Sequence, residues 1–212
     1  MGRTASRLAF LVPAVVTGSL VPLAVMAWRA SQGRLGANPI ATALNQLGML
    51  ALVLLVLCLS CTPLRLAFRW TWPARIRRTL GLAAFFAALL HFLVYIGLDQ
   101  GLDFTALLAD LSERPFILVG FIALMLLVPL ALTSTKRSVT RLGYLTWSRL
   151  HRGVYLIGVL GVVHFYMRVK QDTSLPLGFA FALALLFAVR LLSAYQKRRM
   201  RRERARISLD PT

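Results

Sequence analysis

The chain carries three histidines, His91, His151 and His164, and each lies in or at the edge of a long apolar segment. An ionisable ring is costly in hydrocarbon unless something binds it. Neutral imidazole is a common axial ligand of haem iron. With so few other polar groups at membrane depth, these three side chains are where chemistry could be sited.

The elements that must position them are apolar helices. The 212 residues are 58% hydrophobic with a mean hydropathy of +0.71, too apolar for a soluble domain of this length. The apolar residues form continuous runs rather than alternating ones, which argues against a membrane barrel. Within lipid a continuous run satisfies its backbone only as a helix. Six spans are predicted: Leu8–Trp28, Leu44–Thr62, Thr79–Leu98, Pro115–Leu132, Leu150–Met167 and Leu175–Leu192. Each has about the ~20 residues a bilayer crossing needs. Pro13 and Pro22 interrupt the first span and predict a kink there. That span is too long and too poorly cleavable for a removed signal peptide and reads as a retained helix. The expectation is an all-α membrane protein, a bundle of six transmembrane helices over 1–192 followed by a basic tail over 193–212.

Charge then predicts the orientation. Of the 25 basic residues, twenty fall on one side: Arg3 and Arg7, the group from Arg65 to Arg78, the group from Lys136 to Arg152, and those from Arg190 onward. The other side holds Arg29, Arg34, Arg114, Arg168 and Lys170, with the acids Asp99, Asp103, Asp110, Glu113 and Asp172. The positive-inside rule places both termini in the cytoplasm. The net charge of +18 is therefore a topology signal. The basic tail suits anionic lipid headgroups rather than nucleic acid. The loop from Asp99 to Arg114 falls outside and could carry a partner contact or a short interfacial helix.

In this topology His91 and His164 lie in the outer halves of the third and fifth spans, while His151 lies at the inner end of the fifth. The thirteen residues from His151 to His164 correspond to ~20 Å of helix rise. A haem clamped between these spans would need a histidine pair at matched depth, which His91 and His164 provide. Single intramembrane histidines also serve as interhelical hydrogen bonders, and His151 on its own reads as structural. Gly81, Ala84 and Ala88 precede His91 on roughly its own face, and Gly161 precedes His164. Small residues admit a porphyrin plane, and they equally mediate plain helix packing. Arg168, one turn after His164, could pair with a haem propionate or act as an interfacial anchor. Cys58 and Cys61 read as small buried hydrophobes. No nucleotide loop, nucleophile–base constellation or intramembrane acid is present.

Several stretches together carry a family resemblance. They are RRTLGLAAFFAALLHFLVYIGLD over Arg77–Asp99, Arg114–Pro115–Phe116, LALTST over Leu130–Thr135, and RLGYLTWSRLHRGVYL over Arg141–Leu156 followed by His164–Phe165–Tyr166. LGANP at Leu35–Pro39 and TPLR at Thr62–Arg65 add to them. The chain resembles the MsrQ (YedZ) family, the haem-binding membrane subunits of periplasmic protein-methionine-sulfoxide reductase systems. That family belongs with the ferric reductase-like transmembrane proteins, whose larger members carry two histidines in each of two helices and hold two haems.

The resemblance implies an electron-transfer subunit of an oxidoreductase system in the bacterial inner membrane. Electrons would come from the quinone pool or a separate cytoplasmic flavin reductase and pass to the periplasmic molybdopterin enzyme MsrP, which repairs oxidised methionine. It implies haem b, with His91 and His164 on iron, and links the family to FMN without a residue to name. Fourteen residues before His91, where a fourth histidine is expected, stands Arg77. A second haem is therefore absent, or His151 holds it with another ligand. Two other readings use the same residues. One is a non-redox six-helix transporter or assembly subunit; the other is a haem-dependent ferric or quinone reductase with no MsrP partner.

Overall fold

A computed structural model describes residues 9–207; Arg3, Arg7, the expected span start at Leu8 and the end of the tail lie outside the described residues. Its elements in chain order are α1 (Leu11–Ser31), α2 (Pro39–Phe68), α3 (Pro73–Val94), a π-helical turn (Tyr95–Asp99), α4 (Phe104–Glu113), α5 (Pro115–Leu132), α6 (Lys136–Leu142), α7 (Tyr144–His151), α8 (Val154–Arg168) and α9 (Ser174–Ile207). There is no strand among the described residues. Six stretches are long and apolar enough to cross a membrane: α1, α2, α3 with its π turn, α5, α7 with α8, and α9 up to Glu203. All six predicted spans are thus present as helices, most of them longer than the apolar run alone.

Local chemistry sets many of the boundaries. Pro39, Pro73 and Pro115 each stand at the start of their helix. There a missing N–H leaves no hydrogen bond unmade and the fixed φ is already helical. Asn38 caps α2 by accepting from the Ala41 N–H at 3.0 Å, and Asp103 caps α4 by accepting from Thr105 and Ala106. The loop from Asp99 to Arg114 thus contains a ten-residue helix, α4. In α1, Pro13 falls in the first turn and Pro22 lies inside, yet the helix runs unbroken. The fifth span is divided at Arg152–Gly153 into α7 and α8. The sixth continues past the apolar run, so the start of the basic tail is helix.

The core lies where α2, α3, α5, α8 and α9 meet. It is built from Leu52, Leu55 and Leu59 of α2, Leu80, Ala84 and Ala87 of α3, Leu127 of α5, Ile157 and Val162 of α8, and Leu183 of α9. Of the six spans, α2 is the most buried and the one formed by α1 the least, lying at the edge of the bundle. The outward faces carry exposed Leu20, Phe86, Leu156, Phe181 and Leu191. Such a girdle would be an aggregation surface in water and is the expected lipid-facing surface of a membrane bundle. The chain is an integral membrane protein.

Arg190 departs from the simple charge pattern. It reaches into the bundle rather than out to a headgroup, with Nη1 donating to the Tyr155 hydroxyl and Nη2 to the Leu59 carbonyl. Its guanidinium carbon lies 4.8 Å from the centroid of the Tyr155 ring. One side chain thereby ties α9 to both α8 and α2.

Helices pack closely on one another at Gly158, where an added Cβ would come within 3.1 Å of Leu59 Cδ1 and 3.6 Å of Leu183 Cδ1. Gly158→Val should wedge α8 away from α2 and α9 and destabilise the bundle by ~1–3 kcal/mol. The check is a lowered unfolding temperature in detergent; an unchanged temperature would show that this contact is slack.

Candidate functional site

His91 lies near the end of α3 and His164 near the end of α8. Their ring centroids are 6.2 Å apart and their planes make an angle of 85°. Each ring is tied to a different neighbouring helix. His91 Nδ1 lies 2.9 Å from the Leu44 carbonyl oxygen of α2, and His164 Nδ1 lies 2.7 Å from the Phe116 carbonyl oxygen of α5. A carbonyl can only accept, so Nδ1 carries the hydrogen in both rings. That leaves the lone pair on Nε2, and no other hydrogen bond engages either ring among the described residues. A ligating histidine needs this arrangement, in which one nitrogen is anchored and the other free to bind metal.

The two rings line one cavity of about 650 Å³, walled by α2, α3, α5 and α8. That is a cofactor-sized volume, within the ~300–1,000 Å³ usual for ligand sites. Two metal–nitrogen bonds of ~2 Å and two ring radii of ~1 Å would separate axial imidazole centroids by about 6 Å. The observed spacing of 6.2 Å agrees with it. No cluster of three or more His, Cys, Asp or Glu side chains occurs among the described residues. Two imidazoles alone make a poor site for a bare ion. They suit an iron whose other four ligands come from a macrocycle. Ala84, Ala88 and Gly161 also line this cavity, whereas Gly81 lines a second one.

One end of the cavity is polar. Arg114 and Arg168 line it together with Tyr95, Asp99 and Asp172. Asp110 is buried at 8% exposure. It accepts from the Tyr95 hydroxyl at 2.6 Å and from Gln100 Nε2 at 3.0 Å, and pairs with Arg114 Nε at 3.2 Å. The π-helical turn begins at Tyr95, four residues after His91, and widens the helix where it meets this network. Both arginines are placed to meet carboxylates at the cavity edge.

His151 is held differently. Its ring stacks on Trp147 with centroids 4.2 Å apart, and its Nε2 lies 3.0 Å from Thr133 Oγ1. The Thr133 hydroxyl donates its one hydrogen to the Pro129 carbonyl at 2.6 Å. It must therefore accept from His151, so the His151 hydrogen is on Nε2. This is the opposite tautomer from the pair. No second histidine faces it. His151 lines a separate cavity of about 450 Å³ with Arg65, Arg77, Arg78 and Lys136, and among the described residues no carboxylate side chain lines it. Cys58 and Cys61 also lie there as free buried thiols, donating to the Arg77 and Leu57 carbonyls.

Several of these residues are silent in the sequence. Leu44 and Phe116 act through their carbonyls, which any residue type would supply. Gly48 and Gly120, which abut the two rings, look like ordinary packing glycines. Arg114 is legible as a loop charge and as part of the Arg114–Pro115–Phe116 stretch, but not as a residue lining the cavity. Asp110 and Tyr95 carry one weak signal, an acid within the Asp99–Arg114 loop and a phenol just before it.

Comparison with known proteins places this site in context. The family model for the ferric reductase like transmembrane component matches residues 47–162, a stretch that includes His91 and His151 and ends two residues before His164. A protein of Deinococcus radiodurans named protein-methionine-sulfoxide reductase heme-binding subunit MsrQ is 49% identical over 193 residues, covering 90% of this chain and 94% of its own. Proteins of the same name from Rhodospirillum rubrum and Caulobacter vibrioides are 50% and 46% identical, covering 88% and 79% of this chain and 89% and 81% of their own. No solved structure matches the chain. The fold, the paired histidines and these similarities agree: the chain belongs to the MsrQ family of ferric reductase-like transmembrane proteins.

Proposed function

We propose that this chain is the haem-carrying, electron-transferring membrane subunit of a protein-methionine-sulfoxide reductase system, with His91 and His164 as the axial ligands of a haem b. The observation that carries the reading is the pair itself. Two imidazoles from different helices lie 6.2 Å apart, each anchored through Nδ1 to a backbone carbonyl, and both line one cofactor-sized cavity. Haem bound there supplies a ferric–ferrous couple, and so one-electron transfer at membrane depth.

The chain's own residues do the rest. The Leu44 and Phe116 carbonyls fix the tautomer and raise the basicity of each imidazole. Arg114 and Arg168 offer charge-assisted hydrogen bonds to the propionates, and Asp110 holds Arg114 in place. Leu52, Leu124 and Ile157 exclude water from the apolar part of the cavity, which with the ligands sets the potential.

Orientation follows from charge. The cationic cavity at His151 faces the cytoplasm, both termini are cytoplasmic, and the His91–His164 end faces the periplasm of the bacterial inner membrane. His151 then belongs to the electron-input side. Electrons come from the quinone pool or a separate cytoplasmic flavin reductase and leave to a periplasmic molybdoenzyme, MsrP, where methionine sulfoxide is reduced. A second haem at His151 would require release of its hydrogen bond to Thr133. A flavin phosphate, such as that of FMN, would find countercharges in the same cavity. A ferric or quinone reductase without MsrP uses the same haem and differs only in its acceptor. A non-redox transporter could use the Nδ1 anchors for helix packing, but would have no need of two rings lining one cavity with both Nε2 atoms free.

Protein purified from haem-replete cells should show a low-spin haem b spectrum. His91→Ala or His164→Ala should lower haem content about tenfold or more, and His151→Ala should retain the His91–His164 haem. A colourless wild-type preparation overturns the reading. Electron delivery is tested by mixing the reduced protein with purified MsrP and sulfoxide substrate; haem that stays reduced would point to another acceptor. A reporter fused after Thr212 should read out in the cytoplasm, and a periplasmic signal would reverse the proposed orientation.

A further inference from the structure

The two ligand anchors share a feature that ordinary helix packing does not require. In an α-helix the carbonyl of residue i points along the axis toward the N–H of residue i+4. Each Cβ tilts back toward the N-terminus, so the Cβ of residue i+4 flanks that carbonyl. A side chain from another helix that reaches the carbonyl must occupy the space beside it. His91 uses the carbonyl of Leu44, and four residues on is Gly48. His164 uses the carbonyl of Phe116, and four residues on is Gly120. At Gly120 an added Cβ would fall 2.6 Å from His164 Nδ1 and 2.8 Å from Cε1, closer than real Cβ contacts come. At Gly48 it would lie 3.3 Å from His91 Cε1 and 3.4 Å from Nδ1. The close neighbour at both positions is the imidazole, not a packing leucine as at Gly158 or Gly161.

We infer that Gly48 and Gly120 are positioning residues for the iron ligands: by leaving the i+4 position without a side chain, each admits its histidine Nδ1–H to the helix carbonyl and thereby fixes the tautomer, ring plane and donor strength of the ligand. This rests on the haem reading above. The hydrogen bond from Nδ1 to a carbonyl gives the imidazole partial anionic character, which favours ferric iron. Losing it should raise the midpoint potential. A glycine used only for helix packing would change stability and leave the potential of the folded, haem-loaded protein where it was.

The experiment is redox titration of the purified full chain carrying Gly48→Ala, Gly120→Ala or, as a control, Gly178→Ala, with haem content and helical content measured on each. Gly178 has nothing within 4 Å of its added Cβ. The expected result is a wild-type potential for Gly178→Ala and an upward shift for Gly48→Ala. For Gly120→Ala it is a larger upward shift, or haem loss from a protein that keeps its helical content. Potentials for both site variants equal to wild type would overturn the inference while leaving the haem reading intact. If both variants fail to accumulate while Gly178→Ala does, the glycines serve packing and the inference also falls. Wild-type protein without haem would instead remove the haem reading itself.

Discussion

Two hydrogen bonds from imidazole Nδ1 to helix carbonyls, His91 to Leu44 and His164 to Phe116, are the constraint on which the centre of this bundle depends. A helix carbonyl is already engaged by its own i+4 N–H, so a second donor must approach from the side, where a neighbouring helix lies close. The bonds therefore require α2 against α3 and α5 against α8. These are the two most extensive helix pairings in the structure. Without hydrophobic collapse to drive helix association in lipid, such packing and interhelical hydrogen bonds are what hold helices in register. The same contacts that assemble the four-helix wall set the chemistry of the cavity inside it.

The bundle is polarised along its length. At one end the paired histidines adjoin two arginines, and a buried carboxylate, Asp110, restrains one of them. At the other, His151 shares a cavity with four cations, and no carboxylate among the described residues lines it. Leu55 and Leu127 line both cavities. Arg190 ties α9 to α8 and α2 through the Tyr155 hydroxyl and the Leu59 carbonyl. Its Nε alone among buried side-chain polar atoms has no partner among the described residues.

The six helices were legible because a membrane-spanning run must be long, apolar and helical, and only boundaries depend on finer chemistry. The juxtaposition of His91 and His164 was legible because depth follows from residue counting once the spans are assigned. What could not be read was how the rings are held. A carbonyl acceptor has no residue signature, which hides Leu44 and Phe116. Gly48 and Gly120 carry a signature, but one shared with every close helix crossing, such as Gly158. The tautomer of His151 depends on Thr133 and Pro129, residues whose joint role emerges only when α5 meets α7. Arg190 counted in the sequence only as one of the basic residues on the inner side, and its partners on α2 and α8 are visible only in three dimensions.

The central claim is that His91 and His164 would together hold one haem iron through their free Nε2 atoms, with their ring planes near the right angle seen between them. Electron paramagnetic resonance of the oxidised, purified protein tests it most directly. Near-perpendicular axial imidazoles leave two iron d orbitals close in energy and give a highly anisotropic low-spin ferric signal. The 85° between the rings predicts that signal, lost on His91→Ala and on His164→Ala. A high-spin signal, or the rhombic low-spin signal of coplanar imidazoles, would contradict the arrangement.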